Sequence, residues 1–316
     1  NTAMYTFLIR RIVATIPVFG MVALFVFFML RLASGDPAAI LAGDNGTPEQ
    51  IAEIRAALGL DKPIYVQLTI WLGEMLQGDL GTSFFFKKPV TELITLRVEP
   101  TVMLALMTLL ITIVLAVPMG VIAAYNHGSW VDRSVMALSV LGFSVPVFVF
   151  GYILVYIFAM ELRWVPVQGY KSITEGVGPF LHRLVLPAVT LSVIYIALIA
   201  RITRASVLEI LGEDYIRTAH AKGLTPRAVL MRHALRNAAV PIVTVIGIGV
   251  ALLIGGVVVT ESVFNIPGLG RLTVDAVLGR DYPTIQALIL VFSFIYVVVN
   301  LLVDVSYTFL DPRIRY

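Results

Sequence analysis

Six stretches of this chain contain no Asp, Glu, Lys, Arg or His: Ile12–Leu30, Thr101–Ala124, Val135–Met160, Leu184–Ala200, Ala238–Thr260 and Thr284–Val303. An α-helix rises 1.5 Å per residue, so about 20 apolar residues cross the hydrocarbon core of a bilayer. Five runs meet that length comfortably, and Leu184–Ala200 sits near the lower limit of about 17 residues. Composition points the same way, with 59% hydrophobic and 14% charged residues and a mean hydropathy of +0.92, well outside the soluble range. The expectation is an all-α membrane protein with six transmembrane helices. Arg10 and Arg11 precede the first run as they would in a secretory signal. Its length, and the lack of a small-x-small cleavage site before Arg31, favour a retained helix.

Orientation follows from where the cations fall. A cytoplasmic N-terminus leaves Arg10, Arg11, Arg133, Arg201, Arg204, Arg217, Lys222, Arg227, Arg232, Arg236, Arg313 and Arg315 inside, in short loops. The other eleven of 23 Lys/Arg are spread through a longer outside portion, most of it one long loop that counts little for topology. With six spans both termini then face the cytoplasm. Cysteine is absent, which excludes a disulfide framework, a thiolate metal site and a thiol nucleophile. The net charge of +3 reflects arginines beside the bilayer, and aromatic residues are not interleaved with them as in a nucleic-acid surface.

Outside the membrane, Arg31–Glu99 is too long for a simple turn. Thr47, Pro48 and Gln50 read as a helix start with a capping box. Ile51, Ile54 and Leu58 share a face, and Gly59 ends the helix. A second amphipathic segment from Pro63 groups Ile64, Leu68, Trp71, Leu72 and Met75. Such helices lie on the membrane surface, pack as a small cap over the bundle, or make a contact for an external partner.

The six runs carry no embedded charge, which disfavours a proton-coupled carrier or a voltage sensor. Pro118, Pro146 and Pro187, with Gly120, Gly142, Gly247, Gly249, Gly255 and Gly256, offer kinks and close helix approach. Ser144, Pro146, Thr190, Ser192 and Asn300 are candidates for a neutral polar path, with ordinary helix–helix packing as the alternative. The chain has no P-loop, no His-Glu-x-x-His and no Gly-x-Ser-x-Gly, and its four histidines lie outside the runs. An enzyme activity of its own is not expected. An energy source would therefore come from elsewhere unless transport is passive.

The polar, basic segment Arg201–Asn237 lies between the fourth and fifth runs. Arg201 and Arg204 mark its exit from the bilayer, and Gly212 interrupts the helix. Asp214 can cap a short helix over Tyr215–Lys222 that ends at Gly223. Thr225-Pro226 restarts a helix towards Asn237. Two turns are not stable alone in water, so the short helix needs a neighbour. On pattern alone it is either a packed connector or a docking element.

Arg217-Thr218-Ala219-His220-Ala221-Lys222-Gly223, followed by Arg232-His233-Ala234-Leu235-Arg236-Asn237 and Pro241, resembles the EAA loop of ATP-binding cassette (ABC) importer permeases. The resemblance is to the dipeptide/oligopeptide/nickel branch, DppB/OppB-like. The general pattern is Glu-Ala-Ala, three residues, Gly, nine residues, then Ile-x-Leu-Pro. Ala219, Gly223 and Leu235 agree. Arg217, Thr218, His233 and Arg236 stand where the pattern has Glu, Ala, Ile and Pro, departures typical of the peptide branch. Gly35-Asp36-Pro37, Gly78-Asp79-Leu80-Gly81, Pro267-Gly268-Leu269-Gly270-Arg271, Arg280-Asp281-Tyr282-Pro283 and the tail Asp311–Tyr316 look like further signatures of that branch. Their order around six spans extends the resemblance over nearly the whole chain.

The resemblance implies a type I (MetI-like) importer permease fold with an extracytoplasmic helical insertion after the first span. The implied divisions are 1–30 (N-terminal segment and first span), 31–99 (extracytoplasmic helical loop), 100–303 (core permease domain with the EAA loop at 201–237) and 304–316 (cytoplasmic tail). It implies a multi-pass protein of the bacterial cytoplasmic (inner) membrane. The partners would be a second, homologous permease (DppC/OppC-like), two cytoplasmic ATPases and an extracytoplasmic substrate-binding protein, with no nucleic acid. No cofactor or metal would be bound by this chain, ATP and Mg being used by the ATPases. Carried over by position, the coupling helix that docks on an ATPase comprises Asp214, Tyr215, Arg217, Thr218, Ala219, His220, Lys222, Gly223 and Leu224. Peptides are the default cargo, although the same branch carries glutathione, nickel chelates, haem and some opines or sugars. A secondary carrier or passive channel is the alternative in the carrier class, and a structural assembly or membrane-insertion protein is the third reading.

Overall fold

The computed structural model describes residues 2–32, 36–43, 46–57 and 59–310. Gly35, Leu58 and the tail 311–316, with Arg313 and Arg315, lie outside the described residues. The helices in chain order are α1 (Thr2–Leu32), α2 (Pro37–Ala42), α3 (Pro48–Ala57), α4 (Ile64–Leu76), α5 (Val90–Tyr125), α6 (Trp130–Ser144) and α7 (Val147–Leu154). They continue with α8 (Val177–Leu211), α9 (Asp214–Ala221), α10 (Pro226–Ala228), α11 (Leu235–Val263), α12 (Leu269–Leu278) and α13 (Tyr282–Leu310). π-helical turns extend α7 through Val155–Glu161 and join α10 to α11 through Val229–Ala234.

Five helices are long and apolar enough to cross a membrane, and the α6–α7 pair makes a sixth only as a broken span, bent by 102°. The run Val135–Met160 is thus not one straight helix. Pro146 has no N–H to donate, and the residue before a proline is pushed out of the helical region. Val145 duly adopts ψ 125°. Pro118 and Pro187, by contrast, sit inside uninterrupted helices. The charge-free runs also understate the helices. α5 begins at Val90 and α8 ends at Leu211, so part of Arg201–Asn237 is a continuation of the fourth span. α13 likewise continues through Asp304 to Leu310 rather than giving way to a tail at 304.

The core is a three-helix contact. α5 packs most extensively against α8, and α8 against α11. Leu104, Leu184, Leu191, Tyr195, Leu253 and Val257 form its largest buried cluster. Gly120 lets α5 approach α8, since a Cβ there would lie 2.6 Å from the Ala200 carbonyl oxygen. α1 is peripheral and packs on α13, where Arg11 pairs with Asp304 at 3.1 Å. At its other end the Arg31 guanidinium lies 3.5 Å from the Phe27 ring centroid and donates to Gln67 Oε1 at 2.9 Å. Burial lowers the Arg31 pKa to about 10, so it stays charged at neutral pH. Trp71 of α4 stacks on the same Phe27, which fixes the outer helices to the end of the first span. Leu68, Trp71, Leu72 and Met75 are half-buried as the amphipathic pattern requires, whereas Ile64 is exposed.

The short signature motifs are hydrogen-bonding devices. Asp36 caps α2, and Thr47 and Gln50 form the expected capping box. Asp281 is fully buried, and its carboxylate accepts from the Ser83 hydroxyl, the Phe84 N–H (2.8 Å) and the Thr284 hydroxyl (2.7 Å). It thereby ties the loop before α5 to the start of α13.

One expectation fails. α11 does not stop at Thr260, and it carries Glu261, which is fully buried, so the spans are not free of ionisable groups. The carboxylate accepts from the Thr101 hydroxyl of α5 and from the backbone N–H groups of Gly270 and Arg271. Thr101 Oγ1 in turn accepts from Leu269 N–H at 2.8 Å. The N-terminus of α12, whose first N–H groups have no helical partner, is satisfied by these two side chains. A Cβ on Gly268 would fall 2.1 Å from Glu261 Oε1, which is why that signature needs glycine.

Leaving a buried donor unpaired costs about 1–3 kcal/mol. Asp281→Ala strands three donors and is expected to lower the thermal unfolding midpoint in detergent by several degrees. An unchanged midpoint would mean that the loop before α5 does not depend on this carboxylate.

Candidate functional site: the hinge between α8 and α11

α8 ends where Gly212 N–H bonds back to Leu208 and Glu209. Glu213, in extended conformation, is the residue before α9, so Asp214 is the first helical residue rather than the cap. Its carboxylate instead accepts from Arg217 at 3.2 Å, an exposed pair of little energetic weight. One stripe of α9 is apolar. Ile216 and Ala219 are buried against Val229, with Ile210, Leu211 and Leu224 packed alongside. This supplies the neighbour that a two-turn helix requires.

α9 ends in a left-handed turn. Gly223 has φ +79°, its N–H bonds the His220 carbonyl at 2.9 Å, and Leu224 N–H bonds the Ala219 carbonyl at 3.3 Å. This is a Schellman cap, completed by the contact of Leu224 with the apolar stripe. Thr225 then caps the next helix through the Ala228 N–H, with Pro226 at its first position. Asn237, at the start of α11, donates to the Tyr215 hydroxyl at 3.0 Å. α9 is therefore clamped to the end of α8 by packing and to the start of α11 by a hydrogen bond.

The nine residues assigned to the coupling helix divide in two. Asp214, Tyr215, Arg217, Thr218, His220, Lys222 and Gly223 are exposed and form one continuous outward face. Ala219 is buried and Leu224 half-buried, so these two hold α9 in place. The candidate path residues do not converge. Thr190 and Ser192 are buried, and their hydroxyls are used on the Leu186 and Val189 carbonyls. Ser144 bonds its own helix at Val140, and Pro146 is exposed at the α6–α7 break. Asn300 is exposed, lining a crevice of about 370 Å3 between α11 and α13 with Thr244, Tyr296 and Asp304.

Sequence reasoning missed the buried Asp132. It accepts from Nε and one Nη on a single edge of the Arg204 guanidinium and from Gly128 N–H at 3.0 Å, locking the start of α6 to α8. Arg204 is thus a bracing residue and does not simply reach for the membrane surface. The available signal was one acidic residue at the mouth of an apolar run, facing a chain rich in arginine. Among the described residues no cluster of three or more metal-ligating side chains occurs, and the hinge gathers no nucleophile with a base. It is a packed bracket between two spans with one face turned outwards.

Broken and continuous spans around such a bracket define a multi-pass transport subunit. Residues 116–316 match the family described as "Binding-protein-dependent transport system inner membrane component", and residues 4–105 match the N-terminal region of the same family. The chain belongs to this family, and it is the membrane-embedded permease of an ABC importer, powered by ATPase subunits separate from it. It is 54% identical over 313 residues to the "Probable peptide ABC transporter permease protein y4tP" of Sinorhizobium fredii, covering 99% of this chain and 100% of that protein. It is 44% identical to a "Putative peptide transport system permease protein" of Brucella abortus, with the same coverage. It is 43% identical to the "Glutathione transport system permease protein GsiC" of Pectobacterium atrosepticum, again over 99% and 100%. Inward-facing structures of the MetNI methionine ABC transporter share the fold, with a TM-score of 0.57 and 18% identity, covering 69% of this chain and 96% of that one.

No atom lies within 4 Å of a Cβ built on Gly223, so a substitution there acts through φ alone. A left-handed backbone costs a Cβ-bearing residue about 1–2 kcal/mol, less for Asn. Gly223→Ala should lower the thermal midpoint slightly and Gly223→Asn less. Equal midpoints for Gly223→Ala and the parent chain would remove the left-handed cap from this account.

Proposed function

We propose that the chain forms half of the translocation pathway of a peptide importer, and that the exposed face of α9 receives the stroke of an ATPase. The observation that carries this is the bracket itself. α9 is packed on α8, bonded to α11 and otherwise turned outwards, so force applied to it reaches two core helices at once. A second, homologous permease supplies the other half of the pathway, and two cytoplasmic ATPases drive the pair. A binding protein presents the substrate on the opposite face, next to the α1–α4 region. Movement of α9 with ATP binding rotates α8 and α11, and hydrolysis returns them. ATP and Mg act only on the ATPases.

Peptides are the cargo that the relatives support best, with glutathione, itself a tripeptide, inside the same chemical class. The spans present few fixed charges to pair with peptide termini, which suits a pathway that leaves selection to the binding protein. Both termini lie in the cytoplasm in this reading, on the same side as α9.

Reconstitution with the second permease, the ATPases and the binding protein is expected to give peptide uptake that requires ATP hydrolysis. Uptake that persists with a hydrolysis-dead ATPase would overturn the proposal. Orientation has a separate test, made simple because the chain has no cysteine. Lys222→Cys should react with an impermeant maleimide only in inside-out vesicles, and Leu278→Cys only in right-side-out ones. The opposite pattern would reverse the topology.

A further inference from the structure

On the membrane face opposite α9, a cavity of about 460 Å3 opens between the end of the α7 span and the start of α8. Its lining includes Arg163, Lys171, His182 and Arg183, four groups able to carry positive charge, over a floor that includes Ala159 and Pro179. No acidic side chain lines it. Two carboxylates lie in the same segment: Glu161, two residues before Arg163, and Glu175, which pairs with Lys171 at 2.6 Å, so the positive charge rests mainly on Arg163 and Arg183.

Three of these side chains are held by neighbours, Lys171 by Glu175. Arg183 donates one guanidinium N–H to the Gln168 carbonyl at 2.8 Å. His182 Nε2 donates to the Trp164 carbonyl at 2.8 Å. Glu99, at the outer part of α5, fixes the loop by accepting from Tyr170, Ser172 and the Ile173 N–H. Arg163 has φ +53°, a left-handed conformation uncommon for a residue with a Cβ and characteristic of functional sites.

The depth of the cavity identifies its occupant. Arg163 follows the last apolar residues of one span, and Arg183 immediately precedes the apolar run Leu184–Ala200 of the next. The cations therefore sit where the hydrocarbon core meets the headgroups. Trp164 between them is 65% exposed, as expected of an aromatic side chain at that boundary. On the turns of the same span that precede Arg163, Tyr156 and Met160 are more than half exposed and give the segment an apolar outer strip. Guanidinium groups recognise phosphate oxygens through paired N–H donors.

We propose that this cavity binds the phosphate of an anionic phospholipid, whose acyl chains lie along the exposed strip of the α7 span. The site holds the lipid at the junction of the broken span with α8, the core helix that carries the hinge at its far end. A peptide carboxylate or an acidic surface of a binding protein matches the charge but not the apolar strip or the headgroup depth.

The test uses the complete importer complex purified in detergent, supplied with phosphatidylglycerol or phosphatidylcholine, with retained lipid counted by native mass spectrometry. The parent complex should retain phosphatidylglycerol several-fold over phosphatidylcholine. Arg163→Gln should weaken that preference, and Arg163→Gln with Arg183→Gln should abolish it. Among the described residues no hydrogen bond or ion pair engages the Arg163 side chain, so the single variant tests the site even if the double variant fails to assemble. Unchanged phosphatidylglycerol retention in Arg163→Gln, or equal retention of the two lipids by the parent, would overturn the proposal. Displacement of the lipid by an equal concentration of inorganic phosphate would make this a free-anion site and reject the lipid. Loss of binding-protein-stimulated ATP hydrolysis with lipid retention intact would assign the cavity to a protein partner instead.

Discussion

The Glu261 carboxylate, sealed where α5, α11 and α12 meet, is the interaction on which the outer half of the bundle depends. A helix that begins inside a membrane protein exposes backbone N–H groups that lipid cannot satisfy, and each unsatisfied group costs several kcal/mol. α12 begins in that situation. Glu261 takes the N–H groups of Gly270 and Arg271, while Thr101 takes that of Leu269 and donates its own hydroxyl to Glu261. One side chain from each of two spans thus pairs the first N–H groups of α12 where the chain turns between α11 and α13. The glycines of that signature follow from it, because the carboxylate occupies the space a side chain would need.

The same solution recurs at the other places where the backbone leaves a helix. Asp281 closes the connection between the loop before α5 and the start of α13. Asp132 closes the turn between α5 and α6 by taking the Gly128 N–H, and its charge is balanced by Arg204. Buried polar groups of this kind tolerate little displacement, because breaking one partner strands the other. The ends of the spans are therefore tied to one another by buried pairings. In the proposed transport cycle, a motion that switches the pathway would pass through whole helices moving together rather than through local deformation of the turns.

The hinge between α8 and α11 suits that requirement. α9 is joined to its neighbours by packing of Ile216 and Ala219 and by the Asn237–Tyr215 hydrogen bond, and Asp132 braces α8 against α6. Displacing α9 therefore carries α8, and α8 is the helix that packs against both α5 and α11. The coupling proposed for α9 would thus be geometric, with no titrating group needed in the path.

How far this was legible in the sequence differed by element. The six apolar runs located the spans, because hydropathy over about 20 residues is a dense signal. Gly223 and Thr225-Pro226 located the hinge turns, because caps have strict residue preferences. The α6–α7 bend was visible only as Pro146, one of several prolines in the runs. Pro118 and Pro187 lie in continuous helices, so the residue type alone does not say which proline breaks a span. Glu261 and Asp132 were missed because each stands at the edge of an apolar run, where sequence cannot tell a solvated end from a buried one. What decides the matter is the partner, and Thr101 lies 160 residues from Glu261 while Arg204 lies 72 from Asp132. Long-range pairing of this kind is invisible to periodicity, yet it holds the turns that let six apolar runs pack as one bundle.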